Sequence, residues 1–581
     1  MLYAAYMKKI WRLRTSDPTA VQRLQTALSC HPVTASILAE RGMNSPADAR
    51  RFLYPSLKHL RPPFEIKDLN KAVSRIYRAM IQNENLLIFG DYDADGVTAT
   101  TLLYQFLNRV GVNVSFYLPH RVTDGYGLKP RHISEIAVPN NIGIIVTVDC
   151  GSSSHDAVAL AQHSGIDVII TDHHEPPAML PPAFAVVNPK RRDCSAGFED
   201  LAGVGVAFFL IVALRRYLRQ QAFWKNAKEP DLRKGCDLVA LGTVADMVPL
   251  TRENRILVKT GLNILRTTRR CGIDTLIQAI GIDKQRICTE DLAYKIAPRI
   301  NAAGRIKHAE IAANLLITTQ KEHAAAAAAT LNDLNTFRQA EEKRILEDIL
   351  AGLKKDPTPA SSKCMVLSGE GWHEGILGIL ATRLSRIYFK PVVLIAVDGD
   401  LGKGSGRSVP GFNLLEAITA CGDLLLQFGG HAMAAGVQIK RADIESFKAR
   451  LAQVAVDMSG PKDFVPEIFI DYELNLDQIT PGLADELELL QPFGTQNPEP
   501  LFMTHNVHVV SSSLVGGVHR RMVLSPSPDG SICKLPAIHF NADSASIEKE
   551  FFSQLAYKIQ WNRWNGNKKL QLLVEDTVIS I

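Results

Sequence analysis

Three aspartates at alternate positions, Asp91, Asp93 and Asp95, follow the apolar run 86–89 in the stretch FGDYDADGVTATTLL. In an extended segment alternate side chains share a face, so these carboxylates crowd together, and like charges that close resist simultaneous ionisation. A cation relieves the repulsion. Hard divalent metals favour oxygen ligands, and the small residues that follow leave room for a substrate. Alone, the stretch also reads as a solvated acidic turn after a strand. Two other apolar runs end in residues of the same kind: IIVTVDCGSS closes on Asp149, and VIITDHHEPP on Asp172, His173 and His174. A fourth acidic position is Asp246 in LVALGTVADMVPL. Mixed carboxylate and imidazole ligation suits Mn²⁺ and tolerates Mg²⁺, while the lack of thiolates argues against structural zinc. Two such ions about 3.5 to 4 Å apart hold an attacking water and phosphate oxygens for in-line displacement.

Such residues need a scaffold that gathers several strand ends. The runs LLIF, VNVSFYL, IGIIVTVD, IDVIIT and FAVVN, all between residues 86 and 250, are short and unbroken. That is the pattern of strands buried on both faces of a parallel sheet, and the helical stretches between them make the region α/β. Ligands in such sheets bind beyond the carboxyl ends of the strands. The run LAGVGVAFFLIVAL at 201–214 is too short to span a bilayer and predicts a buried helix; glycine-rich as it is, it lacks a dinucleotide fingerprint and reads as packing. Residues 320–355, rich in Ala, Leu, Glu and Lys without Pro, predict one helix of roughly 50 Å, enough to connect two domains. After the turn-rich DPTPASS a second α/β pattern begins near 356 with KCMVLS and PVVLIAV. Beyond MSGPKDF, several short strands with turn signals predict a small β-barrel or sandwich.

The length of 581 residues implies about three to five domains. A net charge of +5, from 65 Lys and Arg against 60 Asp and Glu, leaves a nucleic-acid binder dependent on a local basic channel. Nine Cys without a C-x-x-C pair fit neither a disulfide framework nor a zinc site and point to a reducing cytosol. The first residues lack the h-region and cleavage site of a signal peptide, so a cytoplasmic protein without membrane association is expected.

The motifs GDYDADG, VDCG, DHH and ADMVPL, in this order, resemble the four signatures of the DHH phosphoesterase superfamily. Downstream, APRINAAGR (297–305), GSGRS (404–408) and FGGHAMAAG (428–436) are similar to motifs of its RecJ branch, bacterial exonucleases specific for single-stranded DNA. The resemblance covers nearly the whole chain. With the patterns above it leads us to expect an α/β multidomain chain: a helical segment at 1–60, a parallel-sheet DHH catalytic domain at 61–320, a connecting helix at 321–355, a smaller α/β DHHA1 domain for substrate binding at 356–460, and an OB-like barrel at 461–581.

Carried over residue by residue, the resemblance implies that Asp93 and Asp149 serve one metal, with Asp91 in or beside its shell. Asp95, Asp149, His173 and Asp246 serve the other, His174 faces the scissile phosphate, and Asp172 orients a ligating imidazole. Arg299 and Arg305, flanking Asn301, grip phosphates; Arg121 adds a clamp and Tyr126 stacks on a base. In the second domain, glycine-rich turns carrying Ser405, Arg407, Ser408 and His431 hold the substrate's end phosphate. Trp561 and Trp564 in WNRWNGNKK line the barrel's groove. The implied activity is 5′-to-3′ exonuclease on single-stranded DNA, two-metal hydrolysis releasing mononucleotides in recombination and repair. A single-strand-binding protein and a helicase are the expected partners of a monomer. Two alternatives remain: another DHH enzyme (a nanoRNA or cyclic-dinucleotide phosphodiesterase, or a pyrophosphatase), or a nuclease-dead replication module. The extra β-domain weighs against the first and the intact acidic set against the second.

Overall fold

The structure, a computed structural model, describes residues 9–579 except 226, 269, 461–463, 543 and 565–566. The chain forms two compact units. One holds Asn335–Ile470 with the strand Ile10–Leu13, and the other holds Arg14–Leu334 with Asp471–Ile581. A single helix of 35 residues, Lys321–Lys355, runs from one to the other.

The larger unit contains a five-stranded, wholly parallel sheet in the order Val114–Tyr117, Asn85–Gly90, Ile142–Val148, Asp167–Thr171, Ala185–Val187. Successive residues of each strand enter two different apolar clusters: Leu86, Ile88, Ile144 and Val146 pack on one face, Leu87, Phe89 and Ile145 on the other. This two-sided burial is why the strand sequences are unbroken rather than alternating. The chain leaves the first strand toward one edge and returns to the opposite side, so the order reverses between Asn85–Gly90 and Ile142–Val148. That reversal opens a crevice at the carboxyl ends of those two strands. Asp91 and Asp149 are the residues that follow them.

In the same unit, Phe502–Val515, His519–Ser525, Leu535–His539, Asn567–Val578 and Phe551–Trp564 pair in that order around a ring, and the last pairs back onto the first. A closed five-stranded barrel results, without the exposed edges of an open sheet. Three helices from the start of the chain, Pro18–Leu28, Pro32–Glu40 and Pro46–Leu53, each begin with proline in the first turn after a side-chain cap from Asp17, His31 or Ser45, a position where the missing N–H costs nothing. Leu24, Ile37 and Leu38 from these helices share one apolar core with Phe502 and Leu555 of the barrel.

The smaller unit has a five-stranded sheet in the order Leu425–His431, Ala434–Lys440, Leu401–Arg407, Val392–Asp398, Met365–Glu370, of which only the last pair is parallel. The glycine-rich GKGSGR, expected as a turn, is a strand. Its alternate glycines make room: a Cβ on Gly402 would lie 2.8 Å from Ile395, and one on Gly406 2.8 Å from Leu414.

Arg255 joins the sheet domain to both the first helices and the barrel. It is fully buried, and its guanidinium donates to the carbonyls of Phe52 (2.9 Å), Gln491 (2.9 Å), Pro492 (3.2 Å) and Leu489 (3.4 Å). It also lies 3.7 Å over the Phe52 ring. Burial, then the charge of Arg41, pushes it down to about 9, and no carboxylate pairs with it among the described residues. Arg255→Met keeps the volume but strands these carbonyls without a donor, so we expect it to lower folding stability by about 3 kcal/mol. Denaturant unfolding measures this, and an unchanged midpoint would show that the carbonyls find other donors.

Candidate metal centre

The aspartate loop is extended only as far as Asp93. There the helix Ala94–Arg109 begins, with Asp93 as its cap, accepting hydrogen bonds from the N–H of Asp95 (2.9 Å) and Gly96 (3.1 Å). Asp95 therefore stands in a first helical turn rather than on the face of a strand. Its carboxylate accepts hydrogen bonds from the N–H of Gly203 (2.7 Å) and Val204 (2.9 Å), at the start of the helix Gly203–Gln220. The positive end of a second helix thus faces this acid. The glycine run read as packing is part of the site: a Cβ on Gly203 would sit 2.5 Å from Asp149 Oδ1.

Asp149 follows its strand in a left-handed conformation, φ 62°, and its N–H donates to Thr171 O at 3.0 Å. His173 Nε2 lies 3.0 Å from Asp149 Oδ1, 3.6 Å from Asp246 Oδ2 and 3.9 Å from Asp95 Oδ2. Asp246 ends the helix Cys236–Ala245. The acids and imidazoles fall into overlapping groups whose ligand atoms lie within 4.8 Å of one another: Asp91, Asp93 and Asp149; Asp95, His173 and Asp246; Asp149, His173 and His174. Asp149 is common to the first and third and touches a member of the second.

Whether these residues fit divalent ions can be judged from their unmet valences. Asp91 Oδ1, Asp149 Oδ1, Asp246 Oδ2 and His173 Nε2 are buried and have no hydrogen-bond partner. Unsatisfied buried polar atoms of this kind are rare because they are costly, and a cation at their convergence satisfies all of them. Without one, the acids hold protons: burial, then Asp93, pushes Asp91 up to about 8 and Asp95 to about 7, and burial with Asp95 and Asp93 pushes Asp246 up to about 9. Asp149 is raised well above the usual carboxylate range by burial and the same neighbours.

The two histidines differ. Burial and the charge of His174 push His173 down to about 3, leaving it neutral as a ligand must be. Burial also opposes charge on His174, but its Nδ1 bonds Asp172 Oδ1 at 2.8 Å and the carboxylates around it carry it up to about 9. Asp172, though buried, stays below the usual range. It is bonded by His174 and accepts hydrogen bonds from the N–H groups of Ser152, His173 and His174 at 2.9, 2.8 and 3.1 Å. It therefore orients His174, where we had expected it to orient a ligating ring. Tyr126 also bears on His174: its hydroxyl lies 3.2 Å from His174 Nδ1 and donates to Asp149 O at 3.3 Å, leaving the ring 46% exposed. The expected base-stacking residue is thus tied by its hydroxyl to Asp149 and His174.

Of the basic residues, Arg121 lies over the Tyr92 ring, 4.4 Å from its centroid, with a buried Nε that has no partner. Asn301 gives its side-chain oxygen to Ala94 N–H at 2.8 Å, fixing the aspartate loop instead of gripping phosphate with that atom. Arg299 is held by Asn332 (2.5 Å) and Lys295 O (2.6 Å), which ties its helix Ala297–Ile306 to the long one. Arg305, on the same helix, is near enough for its charge to act on the Tyr92 hydroxyl.

In the smaller unit, Arg407 donates to Ser405 Oγ (3.2 Å) and Gly406 O (2.7 Å) at the end of its strand, and His431 stands exposed at the end of a neighbouring strand. Ser408 is buried, its hydroxyl bonded to Phe412 O at 2.7 Å, so it shapes the turn. Trp561 donates to Asp485 at 3.0 Å and its ring is covered by Lys568 at 4.0 Å, which closes the face expected to stack on a base. The Trp564 side chain lies outside the described residues.

A doubly wound sheet with carboxylates and a neutral imidazole converging at its switch point defines a metal-dependent phosphoesterase of the DHH type. Family models agree: the DHH family N-terminal domain matches 85–243, the DHHA1 domain 361–457 and the RecJ OB domain 470–576. The single-stranded-DNA-specific exonuclease RecJ of Escherichia coli is 36% identical over 586 residues, 98% of this chain and 99% of its own length. That of Bacillus subtilis is 34% identical over 577 residues, 99% of this chain and 71% of its own. The crystal structure of RecJ in complex with Mn²⁺ from Thermus thermophilus superposes with a TM-score of 0.84 at 30% identity, covering 98% of this chain and 80% of that one. The chain belongs to the RecJ family of single-stranded-DNA-specific exonucleases.

Between pH 7 and 9 the metal-free fold loses protons from Asp91, Asp95, Asp246 and His174, all raised above their unfolded values. The unfolded chain has lost these protons already, so stability falls as pH rises. His173, depressed, acts oppositely only below its ordinary value of about 6.5. We expect the thermal midpoint of chelator-treated protein to fall across this window and Mn²⁺ to restore it most at the upper end. Gly203→Ala, which presses on Asp149, is expected to weaken Mn²⁺ binding about tenfold, measured by calorimetry.

Proposed function

We propose that the protein is a 5′-to-3′ exonuclease that hydrolyses single-stranded DNA to mononucleotides, acting in recombination and repair. The observation that carries the chemistry is the cluster of buried, partnerless ligand atoms at the switch point of the sheet. Asp91, Asp93 and Asp149 would hold one divalent ion, and Asp95, Asp149, His173 and Asp246 would hold the other. RecJ of Thermus thermophilus has been solved in complex with Mn²⁺ and with Mg²⁺, and either ion suits this donor set. When bound, such a pair supplies hydroxide at neutral pH and neutralises phosphate oxygens.

His174 supplies what the carboxylates lack, a positive hydrogen-bond donor. Asp172 and Tyr126 anchor its Nδ1 side, leaving Nε2 to bond an oxygen of the scissile phosphate, where charge accumulates in the transition state. Arg121 and Arg305 are the proposed clamps for flanking phosphates. Ser405, Arg407 and His431 are the proposed holders of the terminal phosphate, which sets the polarity. The proposed setting is a cytoplasmic monomer working with a single-strand-binding protein and a helicase. An intact ligand set supports this over a nuclease-dead module, and the barrel supports it over a dinucleotide phosphodiesterase.

The test is product analysis on oligonucleotides labelled at either end, with Mn²⁺ or Mg²⁺. Mononucleotides are expected from the 5′ end, and Asp149→Ala is expected to abolish their release. His174→Gln is expected to lower kcat by about 100-fold or more while Mn²⁺ affinity stays within about twofold of wild type, because the ring orients phosphate rather than metal. Cleavage of dinucleotides or pyrophosphate without cleavage of DNA would retain the metal chemistry and overturn the exonuclease assignment.

A further inference from the structure

Asp246 is followed by Met247 in a left-handed conformation, φ 61°. Such backbone is unfavourable for a residue with a side chain, and Met247, 66% exposed, is not held by burial. Within its own domain the turn is held by Asn254, which donates to Pro249 O at 2.9 Å, and by Met247 N–H on Val244 O at 3.3 Å; the rest of what holds it comes from the far end of the chain. Thr495 Oγ1 donates to Met247 O at 2.6 Å, and Leu250 N–H donates to Thr495 O at 2.8 Å. One residue of the C-terminal domain thus brackets the 247–250 turn from both sides.

Thr495 is itself presented on a stiff support. Gly494 and Asn497 exchange backbone hydrogen bonds of 2.9 and 3.0 Å, closing a turn around it. The Asn497 side chain, 0% exposed, donates to Pro492 O (2.6 Å) and Leu490 O (3.0 Å) and accepts from Arg41. Arg255 holds the carbonyls of Gln491 and Pro492. Gly494 lies so close to the sheet domain that a Cβ there would meet Leu250 Cδ1 at 2.6 Å. A support this constrained transmits position.

We propose that Thr495 is a positioning residue for Asp246, so that the C-terminal domain completes the metal centre of the catalytic domain. The inference rests on the reading of Asp246 as a ligand. Without the Thr495 hydroxyl, the Met247 carbonyl loses its partner and the left-handed turn is held only by the backbone bonds of Met247 N–H and Leu250 N–H, so Asp246 Oδ2 shifts from its place 3.6 Å from His173 Nε2.

The experiment is Mn²⁺ binding to the full chain, read from the spin-resonance signal of the free ion, for wild type and four variants. Thr495→Val is expected to weaken binding about fivefold, the effect of one net hydrogen bond, and Thr495→Ser to restore it. Thr289→Val removes a different anchor of the same segment, the bond of 2.9 Å from Thr289 Oγ1 to Phe493 O, and is expected to stay within about twofold of wild type. Equal weakening in the Thr289 and Thr495 variants would mean general loosening and overturn the proposal. Asp246→Asn separates the two levels. If it weakens binding while Thr495→Val does not, the positioning role is wrong and the metal reading stands; if it also binds as wild type, the metal reading itself fails.

Discussion

Mutual repulsion among carboxylates in a nearly dry crevice governs this protein. Buried Asp91 and Asp149 lie within a few ångströms of Asp93, and buried Asp95 of Asp246, and they stay together as anions only where opposite charge is supplied. The fold supplies part of it: the start of the Ala94–Arg109 helix turns its N–H groups to Asp93, and the start of the Gly203–Gln220 helix turns its own to Asp95. These fixed dipoles favour anions but leave the inward oxygens of Asp91, Asp149 and Asp246 unmet. Divalent ions complete that balance, and a phosphate backbone is then drawn to the same place.

Two adjacent histidines divide the remaining work because their surroundings differ. His173 is enclosed beside the charged His174, so burial and that charge keep it neutral. His174 turns one residue further, reaches Asp172, and keeps its proton near neutral pH. Asp172 holds this arrangement because three backbone N–H groups and an imidazole converge on it. Neighbouring groups whose environments push their protonation apart are how one site offers both a metal ligand and a proton-bearing donor.

The barrel and the first helices are built into the catalytic unit. They share an apolar core, Arg255 ties both to the sheet domain through backbone carbonyls, and the 494–497 turn bears on the residues just after Asp246. A domain placed this way touches the backbone next to Asp246, a candidate ligand, as well as presenting its own surface.

The convergence of the candidate ligands was legible because Asp91, Asp149 and the Asp172 to His174 run each stand directly after an unbroken apolar strand, and strand ends meet at a switch point in any doubly wound sheet. Local composition misled where the deciding contact was distant. The glycines at 402, 404 and 406 looked like a turn but thin a strand packed under Ile395 and Leu414. Asn301 looked like a phosphate contact but caps a helix at Ala94, 207 residues away in sequence. The glycine at 203 looked like packing but clears space for Asp149. Sequence by itself determined which residues are candidates for the chemistry, because residue type sets charge, ligand hardness and strand pattern. Only the tertiary structure decided how those residues are held, since Asp95 on a distant helix start, Asp172 on His174 and Thr495 on Met247 are hydrogen bonds between segments whose nearness exists only in the folded chain.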